Sequence, residues 1–468
     1  MTEAETQEIR DNVERGRRKS AFDRDWTQGS IFRNLLMLSW PMMISQTLNM
    51  IGPTIDMIWV GKLGAIPIAG VGVGGMVVMF IASAMMGLAI GTRAMVARFV
   101  GAGDTEGASH TARQAFIIGA ISAAVVVTVG ISFTDQILFL MGVEADVVAE
   151  AGAYMRIMFV GSGAMTFRML TEGIMQASGD TVTPMRISIL FRVVHTALCP
   201  FLIFGWWMFP RLGVSGAALT NVFSQGLGLT LGIWVLFSGR SRLRVTASNL
   251  RLDFNIMWRI VRIGLPAAVM GTQRGLCHIL MMSFIIPFGT LAVAAHTLGQ
   301  RMDMFLMTII MGLGLGAGVL TGQNLGAGQP ERAERGSWLA LGIAEGIMVI
   351  SSVAILLWSE NIIRIFNNEP ALVELASTFL RIAVVAYLVS SFISIFQNCL
   401  TGTGDTLPAM IIEVAHWWAV MVPLAVILPR FTTLGVFGIR WAMVTGAMVG
   451  AAAYLIYFRT GRWKHKRV

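Results

Sequence analysis

Gly322-Gln323-Asn324-Leu325-Gly326-Ala327-Gly328 is a glycine-spaced turn between two apolar runs, and its Gly-Ala-Gly has a counterpart 225 residues earlier, Gly101-Ala102-Gly103. The correspondence extends outward on both sides. The same shift lays Pro41 on Pro266, Gly64 on Gly289, and Glu106 and Ala108 on Glu331 and Ala333. It lays Tyr154-Met155-Arg156-Ile157 on Phe379-Leu380-Arg381-Ile382, and Gly179-Asp180-Thr181 on Gly404-Asp405-Thr406. After a three-residue slip, Leu212-Gly213-Val214-x-Gly216 falls on Leu434-Gly435-Val436-x-Gly438. Self-similarity of this extent marks a duplicated architecture.

Each copy holds six apolar runs. They are read at 31–61, 66–90, 112–133, 150–176, 184–209, 213–238, 256–287, 292–320, 336–358, 371–400, 407–429 and 434–458. An even number per copy gives both halves the same topology, related by an axis along the membrane normal. The predicted fold is therefore an all-α polytopic membrane protein, with 12 transmembrane helices in two pseudo-symmetric six-helix lobes. The lobes are expected at 31–238 and 255–460, joined by a linker at 239–254. A polar segment, 1–30, precedes them and a basic tail, 461–468, follows.

Composition agrees with this reading. Of 468 residues, 55% are apolar and only 13% charged, and the mean hydropathy is +0.70. A soluble domain carries about 25% charged residues. A membrane helix takes about 20 apolar residues, so twelve take about 240. The 51 glycines suit close helix packing, and the 32 methionines suit adaptable surfaces. The three cysteines have neither disulfide nor metal spacing, and no cofactor is expected. Residues 1–30 lack a short apolar core with a cleavage site, so the first span is expected to act as an uncleaved anchor.

A net charge of +9 does not indicate a nucleic-acid partner, because of where the charges sit. Arg15, Arg17, Arg18 and Lys19 precede span 1, and Arg98 and Arg113 flank the loop between spans 2 and 3. Arg240, Arg242, Arg244, Arg251, Arg259 and Arg262 crowd the linker. Arg332 and Arg335 follow span 8, and Arg462, Lys464, Lys466 and Arg467 end the chain. The opposite loops hold Glu144, Asp146 and Glu150, or Glu360, Glu369 and Glu374. The positive-inside rule then puts both termini in the cytoplasm of a cell (inner or plasma) membrane. The Gly-x-Gly turns are not phosphate loops, since neither continues as G-x-x-x-x-G-K-S/T or sits in a βαβ unit. They are expected to form tight helix ends, with Asp180 and Asp405 capping the helices that follow.

Several segments together resemble the multidrug and toxic compound extrusion (MATE) transporters, of the bacterial and archaeal type. They are Trp40-Pro41, Ile55-Asp56-x-x-Trp59-Val60-Gly61-x-Leu63-Gly64-Ala65, Ala177-x-Gly179-Asp180-Thr181, Leu212-Gly213-Val214-x-Gly216-Ala217-Ala218 and Val319-x-Thr321-Gly322-Gln323-Asn324-Leu325-Gly326-Ala327-Gly328. The resemblance covers about residues 28–460. It implies a non-enzymatic antiporter that exports drug-like, mostly cationic or amphipathic small molecules in exchange for H⁺ or Na⁺. The chain is expected to work as a monomer within the bilayer.

An ionisable group within a span is costly and marks a candidate site. Asp56 lies deep in span 1, and Gln46, Asn49 and Asp56 fall close to one helical face. Pro53 cannot donate to the helix ladder and is expected to kink the helix just before the acid. The bland alternative is an acid at the outer helix end, in water. The resemblance implies a coupling role for Asp56, with H⁺ or with a bound Na⁺. Where related proteins carry Asn-x-x-x-Asp-Pro in span 5, this chain reads His195-Thr196-Ala197-Leu198-Cys199-Pro200. Na⁺ prefers oxygen ligands, so the change leans towards protons. His195 is either Asp56's proton-coupling partner or a histidine bonded within the bundle.

Arg274 stands where some members of the family carry a span-7 glutamate. His278 lies one turn on, and Gln273 precedes it. Arg274 either pairs with an acid, Asp303 or Glu413, or meets an anionic substrate group. Gln397 and Asn398 are candidate cavity residues, as are Met76, Met79, Met304 and Met307, for which ordinary packing is the blander reading. Glu413 and His416 share a helix face, and Glu345 lies within span 9. Cys199, Cys277 and Cys399 are expected to be inert packing residues. A lipid-linked precursor flippase is the alternative, with Arg274 and Arg301 as its only arginines of the required kind. A membrane enzyme lacks a metal or catalytic constellation, and an ATP-driven pump lacks a nucleotide domain.

Overall fold

The computed structural model describes residues 25–142, 144–246 and 251–466. Arg15, Arg17, Arg18, Lys19, linker residues 247–250 and Arg467 lie outside the described residues, as does the side chain of Asp146. Twelve long helices follow one another among the described residues. In the first half they are α1 (Ile31–Val60), α2 (Ala65–Gly101), α3 (Thr105–Leu140), α4 (Ala145–Ser178), α5 (Val182–Phe204) and α6 (Val214–Phe237). In the second they are α7 (Phe254–Ile285), α8 (Thr290–Gly326), α9 (Pro330–Arg364), α10 (Pro370–Gly402), α11 (Thr406–Phe431) and α12 (Val436–Arg459). Ten are long and apolar enough to cross a membrane. The other two, α1 and α4, carry buried charge and pack beside those ten.

The internal repeat is visible as duplicated packing. In the first half α2 and α3 pack on α4, α4 and α5 pack on α6, and α1 packs on α5. In the second half α8 and α9 pack on α10, α10 and α11 on α12, and α7 on α11. Among the pairs that join the halves, α2 with α7 and α1 with α8 are equivalent, and α2 with α8 is its own counterpart. The symmetry reaches single atoms. A Cβ on Gly101 would lie 2.0 Å from the Gln323 carbonyl oxygen, and one on Gly326 would lie 2.1 Å from that of Arg98. The 225-residue shift maps Arg98 onto Gln323 and Gly101 onto Gly326, so the two contacts are one contact repeated about the axis. Absence of a side chain is what lets the backbones approach so closely.

Both described ends of the chain lie on the face where these turns meet. Arg332 donates to the Gly29 carbonyl at 2.8 Å, and Arg98 donates to the Lys466 carbonyl. Lys464 pairs with Glu334 at 2.5 Å, and buried Trp463 stacks on Phe458. Asp180 caps α5, accepting from the Thr183 amide at 3.1 Å and from the Ser241 hydroxyl. Burial raises its carboxyl above the ordinary range, an effect those bonds offset only in part. The expectation for Asp405 is corrected. Its side chain makes no capping bond to α11 but accepts from the Tyr457 hydroxyl at 2.6 Å and pairs with Lys466 at 3.2 Å. A strong phenol donor and an ammonium within reach outcompete a single backbone amide.

At the start of the second half, Asp253 caps α7 through the Asn255 and Ile256 amides and contacts His110 Nε2 at 3.2 Å. The Ile256 amide, followed by the His110 contact, holds this carboxyl below its usual range. Such a group stabilises the fold above its unfolded-state pKa near 4, and that contribution fades as pH falls through its lower folded value. Asp253→Ala is expected to remove up to about 1 kcal/mol. A melting comparison at pH 7 and pH 3.5 should show the difference shrinking at acid pH; an equal deficit at both would sink the capping account.

Candidate functional site

The first half holds a buried polar cluster where α1 meets α5. Asp56 is 4% exposed. His195 is fully buried, its Nε2 3.1 Å from Asp56 Oδ1, without the alignment of a good hydrogen bond. Cys199, one turn further along α5, points its thiol at the same oxygen at 3.5 Å. Cys199 is therefore more than packing, because it faces the acid. Asp56 thus lies inside the bundle rather than in water at a helix end. α1 runs unbroken through Pro41 and Pro53.

Asn49 donates to Gln46 Oε1 at 3.4 Å, one helical turn apart on the half-buried side of α1. No bond joins either amide to Asp56 among those described. The cluster instead includes a residue that sequence reading passed over. Arg192 lies on α5 one turn before His195, 7% exposed, with its Nη1 3.5 Å from His195 Nδ1. Nearby on α4, Arg168 pairs with Glu172 at 2.7 Å and bonds Gln225. The guanidinium groups of Arg168 and Arg192 both sit against the ring of Phe191.

In the second half two ion pairs involve the candidate acids. Of the two candidate acids, Glu413 is the partner of Arg274. Its Oε1 accepts from Arg274 Nη2 at 2.6 Å and from Nε at 3.1 Å. Gln397 Oε1 accepts from the same Nη2 at 3.2 Å, and Tyr454 reaches the other Glu413 oxygen at 3.5 Å. The Arg274 side chain remains 41% exposed. Asp303 faces away from Arg274, because its position on α8 points it at α10 and α12. There Tyr387 donates to it, and Arg440 Nη1 lies 3.5 Å away.

The remaining candidates are spread out. His278 Nδ1 lies 3.3 Å from the Gln300 amide, and its ring meets the edge of Trp417. Gln273 is buried, accepting a weak bond from the Cys277 thiol. Asn398 donates to its own helix at Ser394 and packs against Gly314 of α8. Met304 is 51% exposed, and Met76 and Met79 are also exposed. Glu345 accepts from Ser391 across the α9–α10 contact. Glu413 and His416 are both buried, but His416 opens a π-helical turn, His416–Met421, and bonds the Ile412 carbonyl. Among the described residues, no three His, Cys, Asp or Glu side chains group as a metal site.

The two lobes, their paired contacts and the intramembrane acid can be set beside known proteins. The MatE family model matches residues 41–201 and again residues 266–427, one match in each half. The chain is 24% identical over 442 residues to "Probable multidrug resistance protein NorM" of Thermotoga maritima, covering 94% of each chain. It is 26% identical over 430 residues to "FAD transporter" of Shewanella oneidensis, covering 91% of this chain and 94% of that one. A crystal structure of MATE in the bent conformation superposes with a TM-score of 0.88 at 25% identity, covering 93% of this chain and 96% of that chain. The doubled match across both halves and the shared fold over almost the whole length lead to one conclusion: the chain belongs to the MatE family of multi-pass membrane transporters, which are not enzymes.

Proposed function

We propose that this chain is a secondary antiporter that exports amphipathic, mostly cationic compounds by alternating access, in exchange for protons. One observation carries this reading: an aspartate 4% exposed, inside span 1 of a two-lobed carrier, pressed against a histidine and a thiol. Those neighbours offer nitrogen and sulfur rather than the oxygens that alkali and alkaline-earth cations prefer, which favours H⁺ over Na⁺. The face bearing the chain ends is cytoplasmic in this reading, since Arg98, Arg113, Arg332 and Arg335 lie there. Relatives named for multidrug resistance support the substrate class. Export then follows from linkage. A proton on Asp56 and a substrate in the cavity each bias the same rocking equilibrium between the lobes, so each lowers the affinity for the other.

A second reading has an observation of its own. Arg274 is clamped along one edge by Glu413 and Gln397, yet its side chain stays 41% exposed. A guanidinium in that position suits an anionic group on the substrate, and a relative named FAD transporter lends it weight.

The test is export of ethidium from proteoliposomes under an imposed pH gradient, then under an imposed Na⁺ gradient, for wild type and Asp56→Asn. Proton-driven export in wild type, lowered at least tenfold in Asp56→Asn, is expected. Equal gradient-driven export by both proteins would overturn the assignment of Asp56. Transport of FAD in place of ethidium, lost in Arg274→Gln, would move the conclusion to the second reading.

A further inference from the structure

Arg192 is a buried cation that makes no salt bridge among the described residues. Its 7% exposure is that of a core residue, its Nε has no partner, and its Nη1 meets the His195 imidazole at 3.5 Å. Arg168 does not resemble it, being paired with Glu172. A lone guanidinium inside a membrane bundle is costly and persists only where something compensates it. The charge nearest in kind is Asp56, which acts on Arg192 through space and shares His195 with it. A guanidinium donor facing Nδ1 is matched where that ring nitrogen is the acceptor, while Nε2 lies 3.1 Å from Asp56 Oδ1 without an aligned hydrogen bond. Asp56, His195 and Arg192 thus form one line from anion through imidazole to cation.

The backbone of α1 is shaped for this cation. A Cβ at Gly52 would lie 1.9 Å from Arg192 Nη1 and 2.4 Å from its Cζ. The guanidinium therefore fills the notch that glycine leaves, one turn before Asp56 on the same helix. The other groups facing this cluster are Cys199 on α5, and Tyr154 and Arg168 on α4.

We propose that Arg192 is the tethered counter-cation of Asp56, seated in the Gly52 notch beyond His195, and that its fixed positive charge restricts the acid to protons by disfavouring an alkali-metal ion beside the carboxylate. The proposal rests on Asp56 being the coupling acid. At an effective dielectric near 20, a second unit charge about 5–9 Å from a buried guanidinium is disfavoured on the order of 10- to 100-fold. A proton escapes that penalty because it neutralises Asp56 covalently and needs no separate coordination shell. Arg192 is in this sense a positioning and selectivity residue, acting through the charge beside Asp56.

The experiment measures ²²Na⁺ binding and ethidium export in reconstituted protein, under separate H⁺ and Na⁺ gradients. The variants are Arg192→Gln, Arg192→Lys and Gly52→Ala. Wild type is expected to export with H⁺ and to bind no Na⁺ at millimolar concentration. Arg192→Gln is expected to gain Na⁺ binding that competes with protons, by at least tenfold over wild type. Arg192→Lys, which keeps the charge, should retain exclusion of Na⁺. Gly52→Ala keeps every charge but evicts the guanidinium from its notch, so it should gain Na⁺ binding as well. It serves as the second route should Arg192→Gln fail to fold. Proton-coupled export that stays blind to Na⁺ in both Arg192→Gln and Gly52→Ala would overturn the proposal, as would Na⁺ binding by wild type. Either result is distinct from failure of the underlying reading, which appears as unaltered proton-driven export in Asp56→Asn.

Discussion

Glu413→Ala is expected to destabilise the protein more than removal of both members of its ion pair. Glu413 is buried, and its Oε1 takes two donors from Arg274. Its loss leaves that guanidinium against an apolar bundle with only Gln397 as partner. Breaking a buried pair one-sidedly costs roughly 3–5 kcal/mol. Because the Arg274 side chain keeps 41% exposure, the lower end, about 3 kcal/mol, is the appropriate figure. Arg274→Met has the converse effect, stranding a carboxylate whose other contact is Tyr454. Arg274→Met with Glu413→Leu removes both charges and should recover much of the loss, since apolar replacement of a buried pair is often neutral. The measurement is a double-mutant cycle on thermal unfolding in detergent. The expected order of Tm is wild type, then the double variant, then the two single variants. Additive losses would refute a direct coupling.

This pair also marks how far sequence reaches. Asp303 and Glu413 both carried the charge that Arg274 needs. Choosing between them requires the rotation of α8 and α11 about their axes, which apolar composition does not encode when a helix is buried on several sides. The pairing of Asp303 with Arg440 joins residues far apart in sequence and had no local signal. Arg192 did have one. It precedes His195 by three positions and so shares its face of α5. Arg168 and Glu172, at i and i+4, had one too. What sequence carried well was the duplication, and with it the helix number. Helix ends were less legible. The second and eighth spans read as ending near residues 90 and 320, yet α2 and α8 run to Gly101 and Gly326. Apolarity stops where Thr92, Arg93 and Arg98, or Gln323 and Asn324, begin. Backbone hydrogen bonding continues through them until the glycine turn, because helix propagation needs no apolar side chain.

Gly101→Val and Gly326→Val are expected to disturb the transport cycle to the same extent, although they lie in different halves. A Cβ at either position would fall about 2 Å from a backbone carbonyl of the other half. A carbonyl held in a helix cannot rotate aside, so the clash is relieved only if the lobes separate on the face bearing the chain ends. Overpacking of this kind costs roughly 1–3 kcal/mol. Every 1.4 kcal/mol is a factor of ten in the balance between closed and open forms of that face. Each variant should therefore favour the open form by about 5- to 100-fold. Met50 reports on the opening, since it lies where the halves still touch at mid-depth, its sulfur 3.5 Å from Thr308. With Met50→Cys in a background lacking the three native cysteines, an impermeant maleimide applied from the face bearing the chain ends should react faster in both glycine variants. Because the 225-residue repeat makes the two contacts equivalent, the rate increases should match within about threefold, or about 0.6 kcal/mol. A large effect from one glycine and none from the other would mean that the halves do not move about their shared axis.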